Sequence, residues 1–274
     1  MKAAIITDLH AGPDVYSRKG IMYKAGHRAP DIARDFVKAT NRRQVDISIE
    51  AGDRISWDSQ SVDIQNMQII GRIFSKLKAP HYYIPGNNEY RNLNASQISN
   101  LTGSPTSSHS VCIKGIRFIF WNTVLNTGKG LSIPRSDLAS LKKELSEDTN
   151  IPSIICTHIP LDNNSNGHLS LTRDRGASHL RMRYGCHYYN NAHEAREIIE
   201  NAGNVFMALA GHRHINRLNK INNVLYFTLD SPVNTLKTPL NPGGTYAFLD
   251  LDTSKGKARI DIEGVNPRSY AFTF

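Results

Sequence analysis

The sequence predicts an α/β fold in which two β-sheets pack together with helices on their outer faces. Three observations carry this expectation. The first half alternates strand and helix patterns as βαβαβ. The second half is strand-rich. Polar, chemistry-bearing residues cluster where apolar runs stop, as they do at strand ends in α/β folds.

Lys2 to Ile6 is an apolar run that opens onto Asp8, the signature of a buried strand entering a loop. Residues 11–29 hold Gly12, Pro13, Gly20 and Gly26 and read as a loop. A helix is expected from Pro30-Asp31, with Ile32, Phe36 and Ala39 on its buried face. Val45 to Ala51 is the next strand and ends at Gly52-Asp53. Val62, Met67, Ile70, Phe74 and Leu77 recur at helical spacing, and Pro80 closes that helix. His81 to Pro85 is a strand ending at Gly86-Asn87. Val111–Ile113 and Ile116–Trp121 flank Lys114-Gly115 as a hairpin. Pro134–Leu145 is a helix with Leu138, Leu141 and Leu145 on one side, and Ser153–Thr157 is a strand ending at His158. A long polar insertion fills 161–191. A helix over Ala192–Ala202 and a strand over Val205–Ala210 follow, the strand ending at Gly211-His212. Residues 215–229 form a second hairpin turning at Asn222-Asn223, and strands near Thr245–Leu251 and Ala258–Glu263 finish the chain.

The chain has 274 residues, of which 39% are hydrophobic and 21% charged, an ordinary globular balance. No linker separates two parts, so one domain is expected over 1–274, with the 161–191 segment as a lid or recognition element. The N-terminal apolar stretch is too short for a secretory signal and Asp8 interrupts it, so a cytoplasmic location is expected, with no membrane partner. Cys112, Cys156 and Cys186 are widely spaced and odd in number, which argues against a disulfide framework or a zinc knuckle. Cys112 and Cys156 sit in apolar runs and read as core. Lys and Arg outnumber Asp and Glu by 33 to 24, a net charge of +9 that favours an anionic partner. The basic residues are scattered, so nucleic acid is not the favoured partner.

The chemistry-bearing residues come in a fixed order: Asp8-Leu9-His10, Gly52-Asp53, Gly86-Asn87-Asn88-Glu89, His158, and Gly211-His212-Arg213-His214. Carboxylates, an amide oxygen and imidazoles form a mixed oxygen and nitrogen ligand set. It suits Mn, Fe or Zn better than Ca or Mg, which prefer oxygen shells. Asp8/His10 and His212/His214 are spaced i, i+2, so in extended chain both members of each pair point to one side.

This series, DxH, GD, GN, H and GHxH, resembles the calcineurin-like metallophosphoesterases, and the resemblance runs from Asp8 to His214. It implies a sandwich of two sheets flanked by helices and two divalent metal ions. One ion would take Asp8, His10, Asp53 and His214, and the other Asp53, Asn87, His158 and His212, with Asp53 bridging. It further implies hydrolysis of a small anionic phosphate ester, such as a nucleotide, by water activated between the ions. Asp53, His158 and Asn88 are the candidate catalytic residues.

Two features depart from the family pattern. Most relatives carry His after the third-motif Asn, where it assists the leaving group or binds the phosphoryl oxygen. Here that residue is Asn88, whose amide donates a hydrogen bond but gives up no proton. Some family members that lack this His are phosphodiesterases, so a phosphodiesterase is the leading expectation, with a small diester as substrate by resemblance to single-domain bacterial relatives. A phosphomonoesterase and a catalytically weak interaction protein are the alternatives. His27, His81, His179 and His187 are candidates for a replacement acid. Gly52-Asp53-Arg54 is also not followed by the commoner GDxxD spacing, which leaves Asp58 outside the ligand set; Arg54 is either a substrate contact or a salt-bridged residue. Within the insertion, Arg173, Arg175, Arg181 and Arg183 are candidate substrate-binding residues, because guanidinium forks suit phosphate oxygens.

Overall fold

The computed structural model describes residues 1–123, 131–162, 169–170, 188–235 and 241–274. Strand β1 (Lys2–Ile6) leads to a small hairpin, β2 (Val15–Tyr16) with β3 (Met22–Lys24), and to a 3₁₀ turn at Gly26–Arg28. Helix α1 (Ala29–Arg43), strand β4 (Ile47–Glu50), helix α2 (Gln60–Phe74) and strand β5 (His81–Tyr83) complete the βαβαβ unit. Helices α3 (Glu89–Asn92) and α4 (Ala95–Thr102) precede the hairpin of β6 (His109–Ile113) and β7 (Ile116–Phe120). Then come α5 (Arg135–Glu147), β8 (Ser153–Cys156), β9 (Leu169–Ser170), α6 (Ala192–Asn201) and β10 (Val205–Ala210). The hairpin of β11 (Arg217–Ile221) and β12 (Val224–Thr228) and the strands β13 (Tyr246–Asp252), β14 (Lys257–Glu263) and β15 (Arg268–Thr273) end the chain.

The strands form two main sheets. One has six strands in the order β15-β14-β13-β1-β4-β5, and the other seven in the order β6-β7-β8-β10-β12-β11-β9. Period-two alternation splits each central strand between two cores. Ala3, Ile5, Ile47 and Ile49 meet Phe118, Ile154, Leu209 and Phe227 between the sheets. Ala4 and Ile6 turn the other way, under Phe36 of α1 and Ile70 and Phe74 of α2. Ile119, Ile155 and Ala208 turn toward Leu138, Leu141 and Leu145 of α5 and Ile199 of α6. Because β7, β8, β10 and β12 are covered on both faces, they read as mostly apolar runs rather than as strict alternation, with Arg117 the charged exception in β7. Each such side chain contributes about 1.5–3 kcal/mol on burial.

β1, β4 and β5 run parallel, and so do β7, β8, β10 and β12. A parallel arrangement puts the carboxyl ends of neighbouring strands at one edge of each sheet. Asp8, Asp53 and Asn87 follow β1, β4 and β5, while His158 and His212 follow β8 and β10.

Several sequence expectations need correction. The 11–29 loop contains the β2–β3 hairpin. Residues 88–102 hold two helices not foreseen. The second had a legible start, since Asn94 and Gln97 form a capping box. A further strand, β15, pairs with β14 after the two expected last strands. It is short, and its exposure alternates along its length with no residue fully buried. Cys156 is core, but Cys112 is exposed, because β6 is an edge strand with one face to solvent. Tyr82 stacks on Phe120 across the sandwich at 5.0 Å and Tyr83 is buried, both as packing residues. No helix among the described residues is long and apolar enough to cross a membrane.

Arg54 is the salt-bridged residue of the two readings. Its guanidinium grips Glu50 with two hydrogen bonds of 2.9 and 2.6 Å, and each side chain is 1% exposed. Removing one member strands a buried charge, which costs about 3–5 kcal/mol. Glu50→Ala is therefore expected to lower unfolding stability by about that amount, read as a shift in the urea midpoint.

Candidate metal centre

The site lies where the strand-end loops of the two sheets meet. Backbone hydrogen bonds zip the first two loops together: Asp8 N–H donates to Gly52 O, His10 N–H to Asp53 O and Ala11 N–H to Arg54 O, at 2.8–2.9 Å. The His158 and Gly211 loops join through Gly211 N–H to His158 O at 3.0 Å.

Among the described residues, eight non-glycine residues have left-handed backbone, and five of them are Asp8, His10, Asp53, His212 and His214, with φ between 44° and 63°. Such residues are uncommon and strained, and they cluster at functional sites. This corrects the reason given for the paired spacing: left-handed backbone and not extended chain places these residues, and it keeps Asp8 with His10 but sends His212 and His214 to different donor groups.

The side chains fall into two groups, Asp8 with His10 and His214, and Asp53 with His158 and His212. Within each, the nitrogen and oxygen atoms lie within 4.8 Å of one another. His10 Nε2 is 3.0 Å from His214 Nε2 and 3.7 Å from Asp8 Oδ1. Asp53 spans the groups: Oδ1 is 3.4 Å from His158 Nε2 and Oδ2 is 3.8 Å from His10 Nε2. Asn87 Oδ1 joins the second group, 3.2 Å from His158 Nε2.

Surrounding groups fix each donor. Asp8 Oδ2 accepts from Thr7 Oγ1 and from the His212 N–H, both at 2.7 Å, which leaves Oδ1 to face the histidines. His158 Nδ1 donates to Ala51 O at 2.7 Å, so Nε2 points into the site. Glu89 is a support that sequence reasoning quoted but did not assign. Its carboxylate accepts from the backbone N–H groups of Gly86, Asp53 and Ile55, locking the loops after β4 and β5. Nothing in its sequence neighbourhood marks that role. Burial, with Asp53 adding to it, raises the Glu89 carboxyl to about 7.

Burial tends to raise the Asp8 and Asp53 carboxyls, but the facing imidazoles override it and hold both below the ordinary range. Burial and Lys24 push His10 down to about 4, so its imidazole is neutral, as a metal ligand must be. His158 goes the other way. Burial would lower it, but Asp53 raises it to about 10. A divalent cation among these atoms would supply the positive charge that Asp53 otherwise draws from this imidazole, and its binding would release the proton. The donor set, two buried carboxylates facing four imidazoles and an amide oxygen, fits two transition-type cations.

Asn88 caps α3 and is buried. Its backbone N–H donates to Asp53 Oδ1 at 2.9 Å, and its side-chain amide lies 3.0 Å from His10 Nδ1. It thereby steadies the ring whose Nε2 faces the centre. Two candidate replacement acids stand elsewhere. His81 begins β5 and bonds Ser48 and Glu50, each at 3.2 Å, at the strand end away from Asn87. His27 is exposed and paired with Asp14 at 2.6 Å. Arg173, Arg175, Arg181, Arg183, His179, His187 and Cys186 lie outside the described residues. A groove of about 820 Å³ between α5 and α6 is lined by none of the motif residues.

A family model for calcineurin-like phosphoesterases matches residues 1–216, and the chain belongs to that family of phosphoric ester hydrolases. No curated protein sequence matches the chain. Among solved structures, a dimetal phosphatase from Danio rerio superposes with a TM-score of 0.78 at 12% identity, over 100% of this chain and 98% of that one. A purple acid phosphatase from yellow lupin seeds gives 0.62 at 14% identity, over 99% of this chain and 53% of that one. The anchor of the Plasmodium inner membrane complex gives 0.59 at 12% identity, over 100% and 88%. At these identities the likeness is one of fold.

Gly86 packs so closely on the Asp53 carboxylate and backbone nitrogen that a Cβ there would collide with both. Gly86→Ala is therefore expected to displace Asp53 and weaken Mn²⁺ binding about tenfold or more, with the circular dichroism spectrum retained; calorimetric titration with Mn²⁺ measures it.

Proposed function

We propose that the chain is a two-metal phosphodiesterase acting on a small anionic phosphodiester. One ion is held by Asp8, His10, Asp53 and His214, the other by Asp53, Asn87, His158 and His212. The observation that supports this best is Asp53, whose two oxygens face one donor group each. Two divalent ions in these positions would draw charge from the phosphoryl oxygens and activate a water near neutral pH. The chain's own part is to gather six charged or ionisable donors and one amide in strained, pre-organised loops, so that little reorganisation is needed when an anion enters. Ala51 O, Thr7 and Glu89 keep the donors aimed.

The preference for a diester rests on Asn88. No proton donor stands at that position, and the amide is engaged with His10. General acid help is typically worth ~10²–10⁴-fold, and its absence weighs most on poor alkoxide leaving groups. A phosphomonoesterase is the second reading, supported by the full-length fold likeness to a protein described as a dimetal phosphatase. The Plasmodium anchor gives the third, an interaction protein on the same fold. A panel of mono- and diesters with Mn²⁺, Fe²⁺ or Zn²⁺ separates the three. Preferential diester turnover supports the first, preferential monoester turnover the second, and metal binding without turnover the third.

Two variants sharpen this. Asp53→Ala is expected to empty both metal positions, read as a fall from about two equivalents by elemental analysis. Filled positions in that variant would contradict the bridging assignment. Asn88→His is expected to speed an alkyl ester by about tenfold or more and to change an aryl ester little, because the aryl leaving group needs no proton. Equal effects on kcat for the two esters would mean that Asn88 has a different role.

A further inference from the structure

Beside the motif residues lies one cation that no motif marks. Lys24 ends β3, and its Nζ is 3.0 Å from His10 Nε2. That nitrogen is the atom His10 turns toward His214 and Asp8. The ammonium thus points into the first donor group rather than away from the fold. It is held there by its backbone. Lys24 bridges Asn234, Ala25 N–H donates to Val233 O at 2.9 Å, and Thr235 N–H donates to Tyr23 O at 3.1 Å. Gly26 then passes so close to the motif loop that a Cβ would sit 2.9 Å from His10 O.

Electrostatically the ammonium answers to Asp53 and Asp8. Among the described residues, however, no carboxylate lies within ion-pair distance of it, and His10 is its one hydrogen-bond acceptor. An ammonium carries three N–H donors, so two are left to give. The residue as a whole is partly exposed, while its ammonium lies deep among the loops of the site. A lysine serving only to neutralise the carboxylates would be expected to pair with one of them.

We propose that Lys24 is a substrate-binding residue whose ammonium takes a phosphoryl oxygen of the phosphate ester bound at the Asp8–His10–His214 side of the centre. The inference rests on the two-metal phosphoesterase reading. A divalent ion and an ammonium cannot share the lone pair of His10 Nε2. The negative group that both attract is the phosphoryl group, and its oxygens accept the hydrogen bonds that the ammonium has to give. Lys24 thereby adds a positive point charge on the side of the centre where Asn88 contributes a neutral amide.

The test compares wild type, Lys24→Met and Lys24→Arg, each checked for a native circular dichroism spectrum. Titration calorimetry measures Mn²⁺ binding first, then binding of inorganic phosphate to the Mn²⁺-loaded protein. For Lys24→Met, Mn²⁺ affinity should be equal to or tighter than wild type, because a competing cation is gone. Phosphate affinity should fall about tenfold or more, and Lys24→Arg should recover most of it. With a turnover substrate, KM should rise more than kcat falls. Phosphate affinity within twofold of wild type in Lys24→Met overturns the inference. Weaker Mn²⁺ binding also overturns it, because it marks a role in building the metal site. A wild-type protein that binds no Mn²⁺ removes the two-metal reading itself, whereas a metal-binding wild type with an indifferent Lys24 removes only this inference.

Discussion

Asp8 and Asp53 are both buried beside one imidazole, His10, and each raises the cost of the other's charge. Two carboxylates in so dry a place persist only with positive charge or hydrogen-bond donors around them. The surrounding structure supplies these. Four imidazoles face the pair, Thr7 and the His212 N–H take one oxygen of Asp8, and the Asn88 N–H takes one of Asp53. The other oxygens, Asp8 Oδ1 and Asp53 Oδ2, face His214 and His10. A demand for positive charge is thus built into the protein before any ligand arrives.

Holding those atoms in place requires backbone that an unconstrained chain avoids. Five site residues sit in the left-handed region, at about 1–3 kcal/mol each. The cost is met by the rigidity of what lies behind them. Parallel strands buried on both faces end together at the site, and their loops are tied to one another by backbone hydrogen bonds. Glu89 completes the tie with a carboxylate that serves backbone rather than metal. Below it, Glu50 and Arg54 form a closed pair under Tyr83, so the loop after β4 leaves from a fixed base.

The same economy of charge explains the divergent fates of the basic residues near the motifs. Arg54 is two residues from Gly52 in sequence yet spends its guanidinium on Glu50. Lys24 is distant from every motif in sequence yet places its ammonium at His10. Asn88, one of the two departures from the family pattern, is turned onto the same imidazole from its Nδ1 side. His10 is therefore approached at both of its nitrogens, as His158 is by Ala51 O on one side and Asn87 and Asp53 on the other.

The sequence by itself determined the layered α/β class, most strands and helices, and the residues that carry the chemistry. Periodicity and strand-end polarity are local properties, and the Asp8, Asp53, Asn87, His158, His212 and His214 motifs each lie within a few residues of a legible strand. It did not reveal α3, α4 or β15. The two helices are short, and β15 is a short strand with no fully buried residue. Nor could it tell Arg54 from Lys24. Whether a basic side chain meets a buried glutamate or a metal-site histidine depends on which strands become neighbours. Only the tertiary structure decided that, because charge pairing is settled by contact distance: Arg54 turns back to Glu50 at 2.6 Å, whereas Lys24 is carried to His10 at 3.0 Å.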